Sequence, residues 1–279
     1  MVRKIFDFFI FSSLYIALCA VLMVWQTGEL LLGSPPSERL VGFVFFSTIC
    51  SYNFHWYLTP YSVNPSRRAS WTQRHKVVHF ILYLVGLVGS AVYFFYLLPH
   101  IIALCFGAFV TFLYSAPKVP HPFFRRLRDV AVGKTIYLAF VWMYVTTVLP
   151  LVVAGATWSG GAILLVLSRF FLIYAICILF DYRDREDDKK DAIRNLITML
   201  TEKGIDRLFF ASLTAFGIST LGLAFFHFPG FYILLLLTPG IITALLFNRA
   251  KRDFSDYLYY VVLDGLMMFS GLLMLIFRI

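Results

Sequence analysis

Nine stretches of mainly apolar residues, most of them long enough to cross a membrane as helices, run through almost the whole chain. A membrane-spanning helix needs about 20 such residues, whereas a transmembrane barrel would show alternating segments of about ten. Because the backbone must satisfy its own hydrogen bonds in lipid, the pattern predicts an all-α integral membrane protein with nine transmembrane helices. The predicted spans lie near residues 6–28, 40–58, 77–97, 101–116, 135–153, 161–180, 208–227, 230–247 and 257–277.

The composition agrees with a membrane protein. The chain is 60% hydrophobic and only 14% charged, whereas soluble domains have about 25% charged residues. No linker interrupts the series of spans, so we expect one transmembrane domain over residues 1–279. The net charge of +9 would suggest nucleic-acid binding in a soluble chain. In a membrane protein it is better explained by orientation, and no nucleic-acid partner is predicted.

Lysine and arginine are distributed unevenly between the two sides of the predicted bundle. With a cytoplasmic N-terminus, the inside segments are residues 1–5, 59–76, 117–134, 181–207 and 248–256, and they hold 21 of the 24 lysines and arginines. The positive-inside rule therefore predicts a cytoplasmic N-terminus and an outside C-terminus. We expect a multi-pass protein, located in the cytoplasmic membrane if the source is bacterial, and a first span that is retained rather than cleaved as a signal peptide.

The densest cluster of charge, residues 181–191, directly follows the sixth predicted span and holds six of the 15 acidic residues. Asp181, Asp184 and Asp188 are spaced three and then four apart, so they share one face if the run stays helical. Carboxylates crowded in this way favour a hard cation such as Mg²⁺, which binds oxygen and leaves positions for phosphate. Four interleaved basic residues support a second interpretation, a solvated helix end.

The other inside segments are basic, and two explanations apply to them. They set the orientation and contact lipid headgroups, or some of them reach inward to bind an anion beside the acidic cluster. An acidic cluster, basic loops and an apolar bundle together fit a lipid diphosphate, with its head held by Mg²⁺ and cations. The residues concerned include Arg67, Arg68, Arg74, Lys76, Lys118, Arg125, Arg126, Arg128, Lys134, Arg249, Lys251 and Arg252.

Residues 180–196 resemble the second aspartate-rich motif of the UbiA superfamily of intramembrane prenyltransferases, which also follows the sixth helix in that family. Asp184 and Asp188 match its Asp-x-x-x-Asp core, and Asp181 matches an additional upstream aspartate. Ala192 and Asn195 stand where the family usually has Gly and Thr. The resemblance implies that the three aspartates bind Mg²⁺ as cofactor and take part in catalysis.

A second match lies at the end of the fourth predicted span. Tyr114 and Ser115, followed by basic residues, look like the family's Tyr-Ser basic segment before helix five. Nine helices with cytoplasmic motifs after helices two and six are also the family's plan, which implies a UbiA-like bundle. The resemblance implies substrate-binding roles for Tyr114, Lys118, Arg125, Arg126, Arg128 and Lys134.

The chain departs from the family at the first aspartate-rich motif, Asn-Asp-x-x-Asp-x-x-x-Asp, which should end the second span. Asn53 fits the leading asparagine, but aromatic residues occupy the three aspartate positions, namely Phe54, Tyr57 and Tyr61. Asn53 and His55, with nearby cations, are the candidate catalytic residues that would replace the missing cluster. Two residues apart on a helix, they point about 200° apart and cannot share one ion.

The resemblance implies transfer of a prenyl group from an isoprenoid diphosphate to a lipophilic or aromatic acceptor. Mg²⁺ and basic groups would stabilise the departing diphosphate, while the apolar bundle, itself in contact with membrane lipids, shields the allylic cation from water. The alternatives are a different lipid substrate and a non-catalytic lipid-binding protein on the same fold. A small-solute transporter is less favoured, because it would place its polar groups near the membrane midplane.

Two charged residues fall inside predicted spans. Arg169 lies in the sixth span, about three turns from Asp181, and must face the bundle or reach the outer side, because a cation in lipid is costly. Asp264 lies in the ninth span. It either pairs with Arg169 or lines a polar cavity.

Overall fold

The computed structural model describes residues 2–59, 66–119, 121, 133–190 and 195–277, apart from the side chains of residues 117 and 134. These residues form helices and no strand, so the predicted all-α class is confirmed for the described part of the chain. Eight helical stretches are long and apolar enough to cross a membrane, as a multi-pass membrane protein requires.

The helices are named in chain order. They are α1 (Val2–Phe11), α2 (Leu14–Thr27), α3 (Glu38–Leu58), α4 (Arg67–Arg74), α5 (Lys76–Tyr96), α6 (Ile101–Ser115), α7 (Lys134–Met143), α8 (Leu149–Val153), α9 (Gly160–Lys190), α10 (Leu196–Met199), α11 (Glu202–Gly222), α12 (Gly230–Ala250) and α13 (Asp264–Phe277). Three π-helical segments adjoin them. Gly28–Leu32 continues α2, Tyr144–Val148 joins α7 to α8, and Leu258–Leu263 leads into α13.

The first span begins later than the sequence predicts. Instead of one helix over residues 6–28, α1 ends at a bend where Ser13 has a φ of 70°, and the candidate span is Leu14–Leu32. The late start of the span is explained by Asp7 of α1. This residue is buried and accepts hydrogen bonds from Arg67 and from the Tyr257 hydroxyl. These polar partners hold α1 at the charged end of the bundle.

The second predicted span, residues 40–58, matches α3 but is not among the eight apolar stretches. Polar residues such as Thr48 and Asn53 lower its hydropathy, and both are buried by neighbouring helices. A Cβ atom added at Gly86 of α5 would lie 2.5 Å from the backbone nitrogen of Cys50 in α3. This close approach, which a small residue permits, covers α3 with protein.

The sixth span continues without a break through most of the acidic stretch. Helix α9 covers 31 residues and ends at Lys190, so the expected helical arrangement of Asp181, Asp184 and Asp188 is confirmed. Helices α7, α10, α11 and α12 pack against it. It buries a continuous series that includes Ile173 and Ile178. The core therefore lies around α9.

Arg169 is held inside the bundle by oxygens rather than by a carboxylate. Its guanidinium lies 2.6–3.1 Å from five oxygens: the carbonyls of Met23 and Thr146, the hydroxyls of Thr27 and Thr147, and the side-chain oxygen of Gln26. Thr146 lies within the π-helical segment Tyr144–Val148, where the altered hydrogen-bond pattern leaves acceptors available. Of the two placements proposed for Asp264, pairing with Arg169 is not found.

Candidate functional site

A cavity of about 1770 Å³ extends from the charged end of the bundle into its interior. Typical small-molecule sites measure about 300–1,000 Å³, so this one has room for more than one small substrate. Its inner chamber is apolar and aromatic, with walls that include Phe43, Phe94, Leu104 and Val141. Charged residues lie at its mouth, and this set is called the charged mouth below. It consists of Arg68, Lys118, Asp181, Arg183, Asp184, Asp187, Asp188 and Asp256.

The lining of the cavity reaches the outer surface of the bundle at α5 and α6. Beyond the turn that joins them, these helices barely contact each other. Both contribute to the cavity lining, Leu87 and Phe95 from α5 and Phe112 from α6, and all three side chains are also exposed on the outer surface. In a membrane this side of the bundle faces hydrocarbon. A lipid chain can therefore reach the chamber without passing the charged mouth.

The acidic stretch has two faces with different environments. Asp181 and Asp188 are buried, and they accept hydrogen bonds from the Thr135 hydroxyl and the Asn195 amide respectively. Asp184 is partly exposed and accepts a bond of 2.8 Å from Arg183 Nε. All three aspartates line the cavity. Glu186 and Asp187, the second of which also lies at the rim of the cavity, pair with the lysines three residues further on, as a solvated helix end would.

The cavity-facing aspartates suit a Mg²⁺ ion that is brought in by a phosphate-containing substrate. They suit a permanently bound metal ion less well. Across the described residues, no three His, Cys, Asp or Glu side chains are placed to hold a metal together. Mg²⁺ in phosphate sites is usually bound by one or two carboxylates plus substrate oxygens. Asp184 and Asp188, one helical turn apart, provide such a pair.

His55, Lys118 and Tyr114 come together in the same cavity. The Lys118 ammonium lies 2.7 Å from His55 Nε2, and His55 Nδ1 lies 3.2 Å from the Ser115 hydroxyl. The His55 ring stacks on Tyr114 with centroids 5.2 Å apart. Because an ammonium only donates hydrogen bonds, we assign Nε2 as the acceptor and place the ring hydrogen on Nδ1. These three predicted residues thus share one wall.

Asn53 does not line the cavity, although the sequence pairs it with His55 as a catalytic candidate. Its amide donates to the carbonyls of Ser12 and Ile49, and its oxygen lies 2.7 Å from His79 Nδ1. The other His79 nitrogen lies 3.3 Å from the Thr72 hydroxyl on α4. This geometry fits positioning of α4 rather than contact with a ligand, and it follows from the 200° between residues i and i+2 of a helix.

Four predicted substrate-binding residues cannot be placed. Arg125, Arg126 and Arg128 lie outside the described residues, and the Lys134 side chain is likewise not described. Val119 precedes these arginines in the described part of the chain and Gly133 follows them. Both residues line the cavity. The roles of the four basic residues stay predictions.

Arg68 is a functional candidate that sequence reasoning did not separate from its neighbours. Its side chain lines the cavity yet is only 3% exposed. The guanidinium carbon lies 4.1 Å from the Trp56 ring centroid and 4.3 Å from that of Tyr260. No hydrogen bond or ion pair from the described residues reaches the side chain, and burial lowers the pKa of Arg68. The backbone nitrogen of Arg68 donates a hydrogen bond of 2.6 Å to Asp256.

Arg183 completes a pair of guanidinium groups that share one ring. It donates to the Tyr260 hydroxyl at 2.8 Å, and its guanidinium lies 4.9 Å from the Tyr260 ring centroid. Within the described residues, Arg68 Nε, Arg183 Nη1 and Asp256 Oδ1 are buried without a hydrogen-bond partner, although the last two form an ion pair with each other at 3.8 Å. Buried polar groups are normally satisfied, so the unused donor of the Arg68 side chain is available to a ligand. Guanidinium groups bind phosphate oxygens in pairs, which makes an anion the matching ligand.

No sequence pattern distinguishes Arg68 and Arg183 from the other basic residues of their segments. Arg67, Arg68 and Arg74 lie in one basic segment, and only the folded chain shows which of them is buried. Comparison of the chain with protein-family models, with curated proteins and with solved structures finds no match.

Proposed function

We propose that the protein is a UbiA-type membrane transferase that moves a prenyl group from an isoprenoid diphosphate to a lipophilic acceptor. One observation carries the proposal: a single cavity joins buried guanidinium groups and an acidic helix face to a large apolar chamber whose lining reaches the outer surface at α5 and α6. A diphosphate head requires the cations, and a prenyl tail requires the chamber. A lipophilic acceptor requires an entrance from the membrane.

The proposal includes nine transmembrane helices, with α3 as the second, a cytoplasmic N-terminus and an outside C-terminus. The distribution of lysine and arginine supports it, as 21 of 24 lie in the segments assigned to the inside. Support also comes from the charged mouth, because Arg68, Lys118, Arg183 and Asp256 each come from a different one of these segments. The diphosphate would then enter from the cytoplasm.

In this reaction Arg68 and Arg183 bind oxygens of the diphosphate, and Lys118 adds a third positive charge. Asp184 and Asp188 hold the Mg²⁺ that accompanies the substrate, and that ion neutralises charge on the leaving diphosphate. Aromatic rings stabilise nearby cations. Those lining the chamber therefore suit the positive charge that develops on the allylic carbon, and the apolar walls exclude water.

A non-catalytic lipid-binding protein on the same fold is the second candidate. Phe54 and Tyr57 stand at aspartate positions of the family's first motif, and the described residues lack a preassembled metal site. A small-solute transporter is disfavoured, because most charged groups of the cavity lie at one end rather than at the midplane. The alternatives differ in whether diphosphate is only bound or also released.

The test uses purified protein, radiolabelled prenyl diphosphates and a membrane lipid extract, with and without Mg²⁺. We expect Mg²⁺-dependent release of diphosphate together with a labelled lipid product, and a decrease of about a hundredfold or more when Asp184→Asn and Asp188→Asn are combined. Glu186→Gln is the matched control, since it removes a carboxylate from the solvated face of the same helix.

The outcomes separate the candidates. Tight binding of prenyl diphosphate without release by the native protein would favour the lipid-binding alternative. Absence of binding would exclude both. Release that persists in the double variant would remove the acidic face from the mechanism.

A further inference from the structure

Helix α1 lies at the charged end of the bundle and is not needed to cross the membrane. Its ten residues extend about 15 Å, roughly half the thickness of the hydrocarbon layer. The candidate span Leu14–Leu32 begins after the bend at Ser13 and has 19 residues of its own, which nearly suffice to cross. This arrangement leaves α1 at the level where the membrane ends.

The inner face of α1 is fixed to the protein. Asp7 accepts hydrogen bonds from Arg67 on α4 and from the Tyr257 hydroxyl. Phe11 is fully buried, and its ring centroid lies 6.1 Å from that of Trp71 on α4. Helix α4 comes directly before the candidate span Lys76–Tyr96. The two short helices therefore lie together at one membrane boundary.

The outer face of α1 is an apolar stripe that no described part of the protein covers. At about 100° per residue, the stripe takes up an arc of about 160° opposite the buried face. Its most exposed residues, Val2 and Ile5, are 80% and 62% accessible. A stripe of this width on a helix at the membrane boundary suits the junction of headgroups and acyl chains. It consists of Val2, Ile5, Phe6, Phe8 and Phe9.

Two cations border the stripe, one along each edge. Arg3 and Lys4 are both exposed, and helical spacing places them on opposite sides of the apolar arc. Their long apolar stems can lie along the stripe while the charged heads stay in water. Asp7, the acidic residue of α1, is turned inward. The membrane-facing surface of α1 is therefore apolar and positive, which matches an anionic headgroup.

We propose that α1 is an interfacial anchor that binds anionic phospholipids in the leaflet at the charged end of the bundle. The apolar stripe lies among the acyl chains, and Arg3 and Lys4 contact the headgroup phosphates. A second copy of the chain fits this face less well, because a symmetric contact would bring two pairs of cations together. The inference goes beyond the proposed function and does not depend on it.

The test measures amide hydrogen exchange of α1 in the full chain, embedded in nanodiscs. The discs contain either phosphatidylcholine alone or its mixture with phosphatidylglycerol. We expect exchange in α1 to slow by about tenfold with phosphatidylglycerol, because each lysine or arginine near an anionic surface strengthens the attraction several fold. At about 1 M salt the difference should disappear, since the Debye length falls to about 3 Å.

Two double variants separate the charges of α1 from its stripe. Arg3→Gln with Lys4→Gln should abolish the slowing by phosphatidylglycerol and leave exchange in phosphatidylcholine close to native. Val2→Gln with Ile5→Gln should speed exchange of α1 in both kinds of disc, because the helix then loses its contact with acyl chains.

The matched control is Lys203→Gln with Arg207→Gln. It removes two exposed cations from α11 at the same end of the bundle, and exchange in α1 should not change. Amides in the middle of α9 report whether each variant has kept its fold. If Val2→Gln with Ile5→Gln does not fold, Ile5→Gln alone replaces it.

Three results would overturn the inference. The first is equal exchange of native α1 in the two kinds of disc. The second is slowing by phosphatidylglycerol that survives in Arg3→Gln with Lys4→Gln. The third is slowing that follows the number of chains per disc rather than the lipid, which would identify a second copy as the occupant. Diphosphate release is measured separately, so a failure of the transferase proposal would leave this result unaffected.

Discussion

Two buried arginines, Arg169 in α9 and Arg68 in α4, show how a structural cation differs from a ligand-binding one. Their exposures are nearly equal, at 5% and 3%. Arg169 is surrounded by five protein oxygens, whereas Arg68 has no hydrogen-bond partner for its side chain in the described residues. Burial alone therefore does not reveal function. The number of donors left unsatisfied does.

The two sites hold their guanidinium groups by different forces. Protein oxygens surround Nη1 and also accept from Nη2 of Arg169, so these N–H groups are already engaged. The rings of Trp56 and Tyr260 hold the plane of Arg68 by cation–π attraction, which does not consume N–H donors. Arg68 is thus fixed in place with its donors available. Such preorganisation lowers the cost of binding.

The largest expected effect is on stability, from Arg169→Leu. Removal of the guanidinium takes a donor from five buried oxygens, and the single Thr27 hydroxyl hydrogen can still serve only one of the Met23 and Thr146 carbonyls, so the loss should be about 3–5 kcal/mol. Unfolding in mixed detergent micelles with increasing SDS measures the loss. The stability of Arg169→Lys should lie between that of the native protein and that of Arg169→Leu, because lysine keeps the charge but lacks the planar guanidinium group. Native stability combined with lost pyrophosphate binding would show instead that Arg169 serves a ligand.

The second effect is on affinity, from Arg68→Gln. We expect binding of inorganic pyrophosphate to weaken by about tenfold or more, in line with the loss of a charged hydrogen bond, while the unfolding midpoint stays close to native. Arg74→Gln is the matched control, since it makes the same change at an exposed position of the same helix. A large loss of stability without a change in pyrophosphate affinity would show that Arg68, like Arg169, is a structural cation.

The smallest effect is expected from Thr72→Val, which tests how α4 is positioned. The change removes the hydrogen bond to His79 that links α4 to Asn53. We expect a loss of about 1 kcal/mol in stability and a decrease of less than about fivefold in pyrophosphate affinity. Ser70→Ala on the same helix is the control. An affinity loss as large as that of Arg68→Gln would mean that Thr72 contacts the ligand itself.

Hydropathy predicts most of the span limits, because burial in lipid requires long apolar runs whatever the tertiary structure. It fails at the N-terminus, where the bend at Ser13 and the partners of Asp7 come from distant parts of the fold. The solvated-end interpretation of the acidic stretch describes one face of α9, and the other face lines the cavity. Helical spacing alone predicts that Asp181, Asp184 and Asp188 lie together, and the structure agrees.

The cationic half of the site could not be predicted from sequence. Arg68 is distinguished from Arg74 by Tyr260, which lies near the other end of the chain. Long-range packing decides these roles, and a single sequence does not record it.

The length of α9 has a consequence for how the protein would respond to its membrane. Its 31 residues extend roughly 46 Å, against about 30 Å of hydrocarbon. In the proposed orientation the excess carries the aspartates to the level of the lipid headgroups. Anionic lipids there set a surface potential of roughly −30 mV, which concentrates Mg²⁺ and repels a free diphosphate. The headgroup composition of the surrounding leaflet would then tune the site without touching any of its residues.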